Sequence, residues 1–257
     1  NNNIYELEDN KKLVTKFISN LDYSLTKAQK KVIGEIYKEL KAGKIVNRLI
    51  QGDVGSGKTV VSLIMLLYMA ENSYQGVIMT HTEILATQHY LGVVDEFANL
   101  DVRVELLTGS IKGKKREKLL LEIENGLVDI VIGTHALIED DVVFKKLGLI
   151  IIDEQHRFGV DQRRLLREKG SLANLIVMSA TPIPRSLALT IYGDLDVSII
   201  DELPLGRIPI KTKWIKSDVD KERMYDFIEK KINEGRQIYV VSPLIEESET
   251  LNVKSAE

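Results

Sequence analysis

Short apolar runs alternate with stretches of helical periodicity along most of this chain. Runs at 48–51, 77–80, 102–107, 130–132, 149–152 and 175–178 have strand length, and the stretches 59–72, 83–98 and 115–125 between them place apolar residues at helical spacing. Leu149, Ile150, Ile151 and Ile152 are continuous rather than alternating. Such a strand is buried on both faces, which calls for a parallel sheet covered by helices, so the expected fold class is α/β. Ahead of the first run, Thr26 and Gln29 are spaced as a capping box. The helix it opens carries Ala28, Val32, Ile33, Ile36, Tyr37 and Leu40 on one face and stops at Gly43.

Pro204, Gly206 and Pro209 then punctuate the chain and divide it into 1–203 and 204–257. The second part is predicted to begin a new unit with a strand at 210–215, a helix at 220–234 and a strand at 237–242, too little to close a core of its own. The tail 246–257 is polar and is expected to be poorly ordered.

Composition narrows the class. With 257 residues, 44% of them hydrophobic, the chain can bury a full globular core. Its most apolar helical stretch, 60–70, is too short to span a membrane, and no membrane association is expected. A net charge of −3 argues against coating nucleic acid by bulk charge, and the basic run 112–118 fits a solvated helix face. There is no cysteine, hence no disulfide or thiolate metal site, which suits a reducing cytoplasm. The four histidines lack metal-ligand spacing, and no metal cluster is expected. Asn1 opens a polar segment without the apolar core of a signal peptide, and a piece of a longer chain is expected.

The chemistry concentrates at Gly52, Asp53, Val54, Gly55, Ser56, Gly57, Lys58 and Thr59, which match G-x-x-x-x-G-K-[ST] between a strand and a helix. Glycines let successive amides turn inward onto phosphate oxygens, and the helix N-terminus adds its dipole. Lys58 would reach the β and γ phosphates of ATP and Thr59 would ligate Mg²⁺. A Mg²⁺ site also needs a carboxylate at the carboxyl end of a strand, and Asp153 follows the apolar run ending at Ile152. Asp153 is assigned to the metal and Glu154 to the base that orients the attacking water, although the pair could also cap a following helix.

From here the residues resemble the RecG family of superfamily 2 helicases. Asp153-Glu154-Gln155-His156 is similar to motif II, and the continuation Arg157-Phe158-Gly159-Val160-Asp161-Gln162-Arg163 is that of the family. Ser179-Ala180-Thr181-Pro182-Ile183-Pro184-Arg185 resembles motif III, followed by Gly193-Asp194-Leu195-Asp196. Thr82-Glu83-Ile84-Leu85-Ala86 with Gln88-His89 resembles motif Ia, Leu107-Thr108-Gly109-Ser110 the segment after it, Gly133-Thr134-His135 motif Ib, and Leu25-Thr26 with Gln29 the adenine-reading motif. His81 and Leu205 depart from the family pattern, each standing where it has a proline.

The resemblance implies a RecA-like nucleotide-binding domain followed by the start of a second one, in an ATP-driven motor that remodels branched DNA such as stalled forks and Holliday junctions. It implies that Thr82, Gly109, Thr134 and His135 line the DNA sugar-phosphate track. Gln155, His156, Ser179 and Thr181 would couple hydrolysis to domain movement. The second motor domain, with its arginines, and an N-terminal wedge domain would be the partners, and the segment by itself is expected to bind ATP with Mg²⁺ but turn it over slowly. Blander readings stay open: Gln29 as a capping partner alone, Thr134 and His135 as turn residues, and Ser179 with Thr181 as a hydroxyl turn. Two other functions share part of the pattern, a transcription-repair coupling translocase and a P-loop small-molecule kinase.

Overall fold

The computed structural model describes residues 7–8, 11–153, 166, 168–170, 172–181, 195–202 and 211–241. Glu154, Gln155, His156 and the tail 246–257 lie outside the described residues, as does most of the stretch around the prolines. The chain divides into two units, Asn1–Arg207 and Ile208–Glu257.

In the first unit the predicted alternation is realised as α1 (Lys12–Asn20), α2 (Lys27–Lys41), β1 (Asn47–Gly52), α3 (Lys58–Glu71), β2 (Gln75–Met79), α4 (Glu83–Glu96), β3 (Val104–Leu107), α5 (Gly113–Glu124), β4 (Ile130–Gly133), a 3-10 turn (His135–Ile138), β5 (Leu147–Asp153), β6 (Asn174–Ser179) and β7 (Asp196–Ile200). The strands form one sheet in the order β3-β4-β2-β5-β6-β1-β7, and every described pairing is parallel. Leu149, Ile150, Ile151 and Ile152 are at most 1% exposed, as a strand covered on both faces must be. One layer of the core packs α1, α2 and α3 on the sheet through residues such as Phe17, Ile36 and Leu66; the other packs α5 and the opposite strand faces through Ile123, Val131 and Ile150.

The capping box forms: the Thr26 hydroxyl accepts from the Gln29 amide and the Gln29 side chain accepts from the Thr26 amide. Helix α1 was not legible in this way. Its first residue, Lys12, follows a cap position that makes no side-chain bond, and the free amide of Leu13 is instead taken by Glu71 Oε2 at 2.9 Å, from the far end of α3. Strand β7 was also missed, because Asp196 and Ser198 break its apolar character.

The second unit contains α6 (Asp218–Asn233), capped by Ser217. The predicted strands at 210–215 and 237–242 are corrected here: the described residues 211–216 and 237–241 are not in strands. A strand needs a neighbour for its amides, and neither segment has one among the described residues; Tyr239, Val240 and Val241 are 85%, 86% and 92% exposed.

Candidate functional site

Parallel strands end at the same edge of the sheet, so the order of strands decides which candidate residues meet. The Gly52–Thr59 loop runs from the end of β1 into α3. Gly57 stands as N-cap in the left-handed region, φ 84°, and Gly55 has φ 75°. A β-carbon on Gly57 would lie 2.1 Å from Gln29 Nε2, so both backbone conformation and space require glycine there. Lys58 folds back over the loop, its Nζ donating to the carbonyls of Gly52 at 2.6 Å and Asp53 at 2.9 Å. Ser56 Oγ is buried and has no hydrogen-bond partner among the described residues. The left-handed glycines, the lysine bridging the loop and this orphaned hydroxyl fit a phosphate chain, whose oxygens would satisfy the loop's donors. Thr59 is exposed on the first turn of α3, open to a cation. Asp53 and Val54 are exposed at the loop's tip, where Asp53 Oδ1 accepts the Val54 amide at 2.7 Å.

Asp153 is the last residue of β5 and lies level with Met178 of β6, which is level with Ile50 of β1. Two interstrand steps of about 4.8 Å therefore separate Asp153 from Ile50, and the phosphate loop begins two residues further along β1, at Gly52. Thr59 and Asp153 both offer oxygen donors, and with phosphate oxygens and water they would make a set of the kind Mg²⁺ prefers. Among the described residues no group of three or more His, Cys, Asp or Glu is placed to hold a metal by itself.

Gln29 is fully buried, and its amide is engaged at both ends. Oε1 accepts from Thr26, and Nε2 donates to the Ser56 carbonyl at 2.9 Å, so the side chain ties the start of α2 to the phosphate loop. The Ala28 amide in turn donates to Glu202 Oε2 at 3.0 Å, just beyond β7. Ser179 ends β6 and Thr181 lies two residues beyond it. Their hydroxyls lie 2.9 Å apart, the Thr181 amide donates to Ser179 Oγ, and Gln51 Nε2 donates to the Thr181 carbonyl at 3.3 Å. Gln51, which the sequence offered only as a strand end, thus links the residue before the phosphate loop to the segment after β6.

The other four candidates follow β2, β3 and β4, which are adjacent. Thr82 caps α4, its hydroxyl accepting from the Leu85 amide. Glu83 Oε1 accepts from the Ser110 amide at 3.1 Å, beside Gly109, and the Thr80 amide donates to the Gly133 carbonyl at 2.9 Å, beside Thr134. His135 is exposed, whereas Thr134 is 1% exposed with its hydroxyl unpartnered among the described residues. The carboxyl edge therefore carries these four residues over β3, β4 and β2, and the phosphate loop and Asp153 over β1 and β5. One contact of a candidate site residue was not legible in the sequence: His89 of α4 lies with Nε2 2.7 Å from Asp153 Oδ2. In the sequence His89 stands out through the resemblance of Gln88-His89 to motif Ia and through its spacing of seven from Thr82, about two helical turns, but neither names Asp153 as its partner.

Residues 26–190 match the model of the DEAD/DEAH box helicases. The chain belongs to the DEAD/DEAH box helicase family. Within that family it is 51% identical over 241 residues to the ATP-dependent DNA helicase RecG of Bacillus subtilis (strain 168), covering 94% of this chain and 35% of that protein. It is 52% identical over 239 residues to RecG of Staphylococcus aureus (strain NCTC 8325 / PS 47), covering 93% of this chain and 34% of the relative. A solved structure of RecG bound to a three-way DNA junction superposes with a TM-score of 0.81 at 45% identity, covering 94% of this chain and 32% of that one. The helicase MrfA bound to DNA shares the fold, with a TM-score of 0.63 at 20% identity over 88% of this chain and 35% of that one. The resemblance to RecG carried by the motifs is borne out, as is the RecA-like α/β fold. The chain spans about a third of the length of the curated relatives it matches.

Proposed function

We propose that this chain is the nucleotide-binding part of an ATP-dependent DNA helicase that remodels branched DNA, such as stalled forks and Holliday junctions, in recombination and repair. The observation that carries the reading is the sheet edge itself: a glycine-formed phosphate loop and a carboxylate two strands away share it with a row of hydroxyl, amide and imidazole groups over β2, β3 and β4. Its likeness to a RecG structure on a DNA junction supports DNA as the partner.

Lys58 would leave the Gly52 and Asp53 carbonyls for the β and γ phosphates of ATP, while Thr59 and Asp153 would hold Mg²⁺. When bound, Mg²⁺ neutralises charge building on the transferred phosphoryl group. Glu154, next along the chain from Asp153, would orient the attacking water and accept its proton. Gln29 would brace the loop through Ser56, leaving its second N–H and second lone pair to read adenine. Thr82, Gly109, Thr134 and His135 would touch the sugar-phosphate backbone, a mode of binding that needs no basic surface. Gln155, His156, Ser179 and Thr181 would pass the state of the nucleotide to a second motor domain, Thr181 through its contact with Gln51.

A division at residue 203 into a first motor domain and the start of a second fits this reading. A second motor domain and an N-terminal wedge, as the resemblance implies, would supply arginines for hydrolysis and a grip on branched DNA. Chromosomal DNA as the substrate would place the protein in the cytoplasm.

The assignment is tested by isothermal titration of the chain with ADP and Mg²⁺. Lys58→Ala should weaken binding at least tenfold while the circular dichroism spectrum stays unchanged. Equal affinity in the two proteins would remove the phosphate-loop assignment. Transfer of phosphate from ATP to a metabolite would favour a P-loop kinase instead.

A further inference from the structure

Helix α4 touches both halves of the carboxyl edge. Its cap Thr82 and first residue Glu83 stand beside the residues proposed for the DNA track, and Glu83 is bonded to the Ser110 amide. Seven residues further on, about 10 Å along the axis, His89 reaches Asp153. Strands β2 and β5 are neighbours, so this hydrogen bond crosses the seam between the two halves.

The contact is short and sheltered. His89 Nε2 and Asp153 Oδ2 are 2.7 Å apart, with the side chains 17% and 21% exposed. An ionised carboxylate only accepts, so Nε2 carries the proton and donates. The helix that presents the imidazole is itself fixed, with Ala86 0% and Val93 2% exposed. A carboxylate that can rotate must be immobilised when a cation binds; one held in advance through a single oxygen presents the other in a defined direction.

We propose that His89 is a positioning residue for the metal site, holding Asp153 through Oδ2 so that the carboxylate meets a phosphate-bound divalent cation in one orientation. The role rests on the assignment of Lys58, Thr59 and Asp153 to a Mg²⁺-nucleotide site made above. Partners of this kind, bonded to a metal ligand rather than to the metal, are typically worth about tenfold to a hundredfold in metal affinity. A mere clamp between α4 and β5 would differ in its effects: its loss would lower stability and leave the response to Mg²⁺ untouched.

The experiment is a Mg²⁺ titration of the full-length protein in the presence of a fluorescent ADP analogue, with thermal melting of the same samples. His89→Ala should raise the Mg²⁺ concentration at half-maximal response about tenfold or more, while affinity for the analogue in EDTA and the melting temperature match the parent protein. His89→Gln, which keeps an N–H donor, should recover part of the loss. An unchanged Mg²⁺ midpoint in His89→Ala, with or without a lower melting temperature, overturns the proposal. If His89→Ala does not fold, His89→Leu, which fills the same space without a donor, takes its place in the comparison. Failure of both to fold assigns His89 to the fold alone and overturns the proposal. Equal binding of the analogue by the parent protein and Lys58→Ala defeats the underlying nucleotide assignment. That outcome is distinct from one in which the parent protein responds to Mg²⁺ and His89→Ala responds identically.

Discussion

Where the chain enters β4, Asp129 accepts the Arg103 amide through Oδ2 at 2.7 Å. Burial pushes its carboxyl above the ordinary value of 3.8, against the lowering effect of that hydrogen bond. A carboxyl whose pKa is higher in the folded than in the unfolded protein binds protons more readily when folded. Its contribution to stability is therefore complete below the unfolded value and is lost as pH rises through the folded one. Asp129→Asn keeps an oxygen for the Arg103 amide and removes the charge. Relative to the parent protein, this variant should be more stable at pH 7 than at pH 4 in urea denaturation; an equal margin at both pH values would contradict the account. At this scale the sequence named many residues of the candidate site but not their contacts. The phosphate loop is contiguous, so its residues were legible from spacing alone. His89 and Asp153 are 64 positions apart. Their meeting depends on β2 lying beside β5, which no local pattern encodes.

The same limit separates elements that were foreseen from those that were not. Strands β2, β4, β5 and β6 are buried over their described lengths except for Asp153, and continuous apolar runs announced them. The edge strand β7 is held differently. Arg48 of β1 is 6% exposed, pairs with Glu35 at 3.2 Å and with Glu39 of α2, and donates to Ser198 of β7 at 2.6 Å; Ser198 donates to Glu35 at 2.6 Å. One guanidinium thus ties three elements, and in the sequence it looked only like the polar start of a strand. Arg48→Met should cost about 3 kcal/mol in denaturant unfolding, near the low end for a broken buried pair because water can reach both glutamates. A loss below about 1 kcal/mol would show that packing, not this network, holds β7. The two strands expected in the second unit had suitable residues but no neighbour among the described residues. Propensity alone does not satisfy a strand's amides.

Across the sheet the two ends differ in how their buried polar groups are satisfied. At the amino end, buried amide side chains close the structure: Gln75 Nε2 donates to the carbonyls of Ile123 and Val128, each at 2.9 Å, while Asn174 accepts from Val46 and donates to Gly148. At the carboxyl end, the buried hydroxyls of Thr134 on one side and Ser56 on the other have no hydrogen-bond partner among the described residues. The central claim is that this edge couples ATP to the remodelling of DNA. It is tested most directly with the full-length protein and a fluorescently labelled three-way DNA junction. With ATP and Mg²⁺ the junction should be rearranged, and Lys58→Ala or omission of ATP should abolish the rearrangement. Rearrangement that persists in Lys58→Ala, or without ATP, would contradict the account.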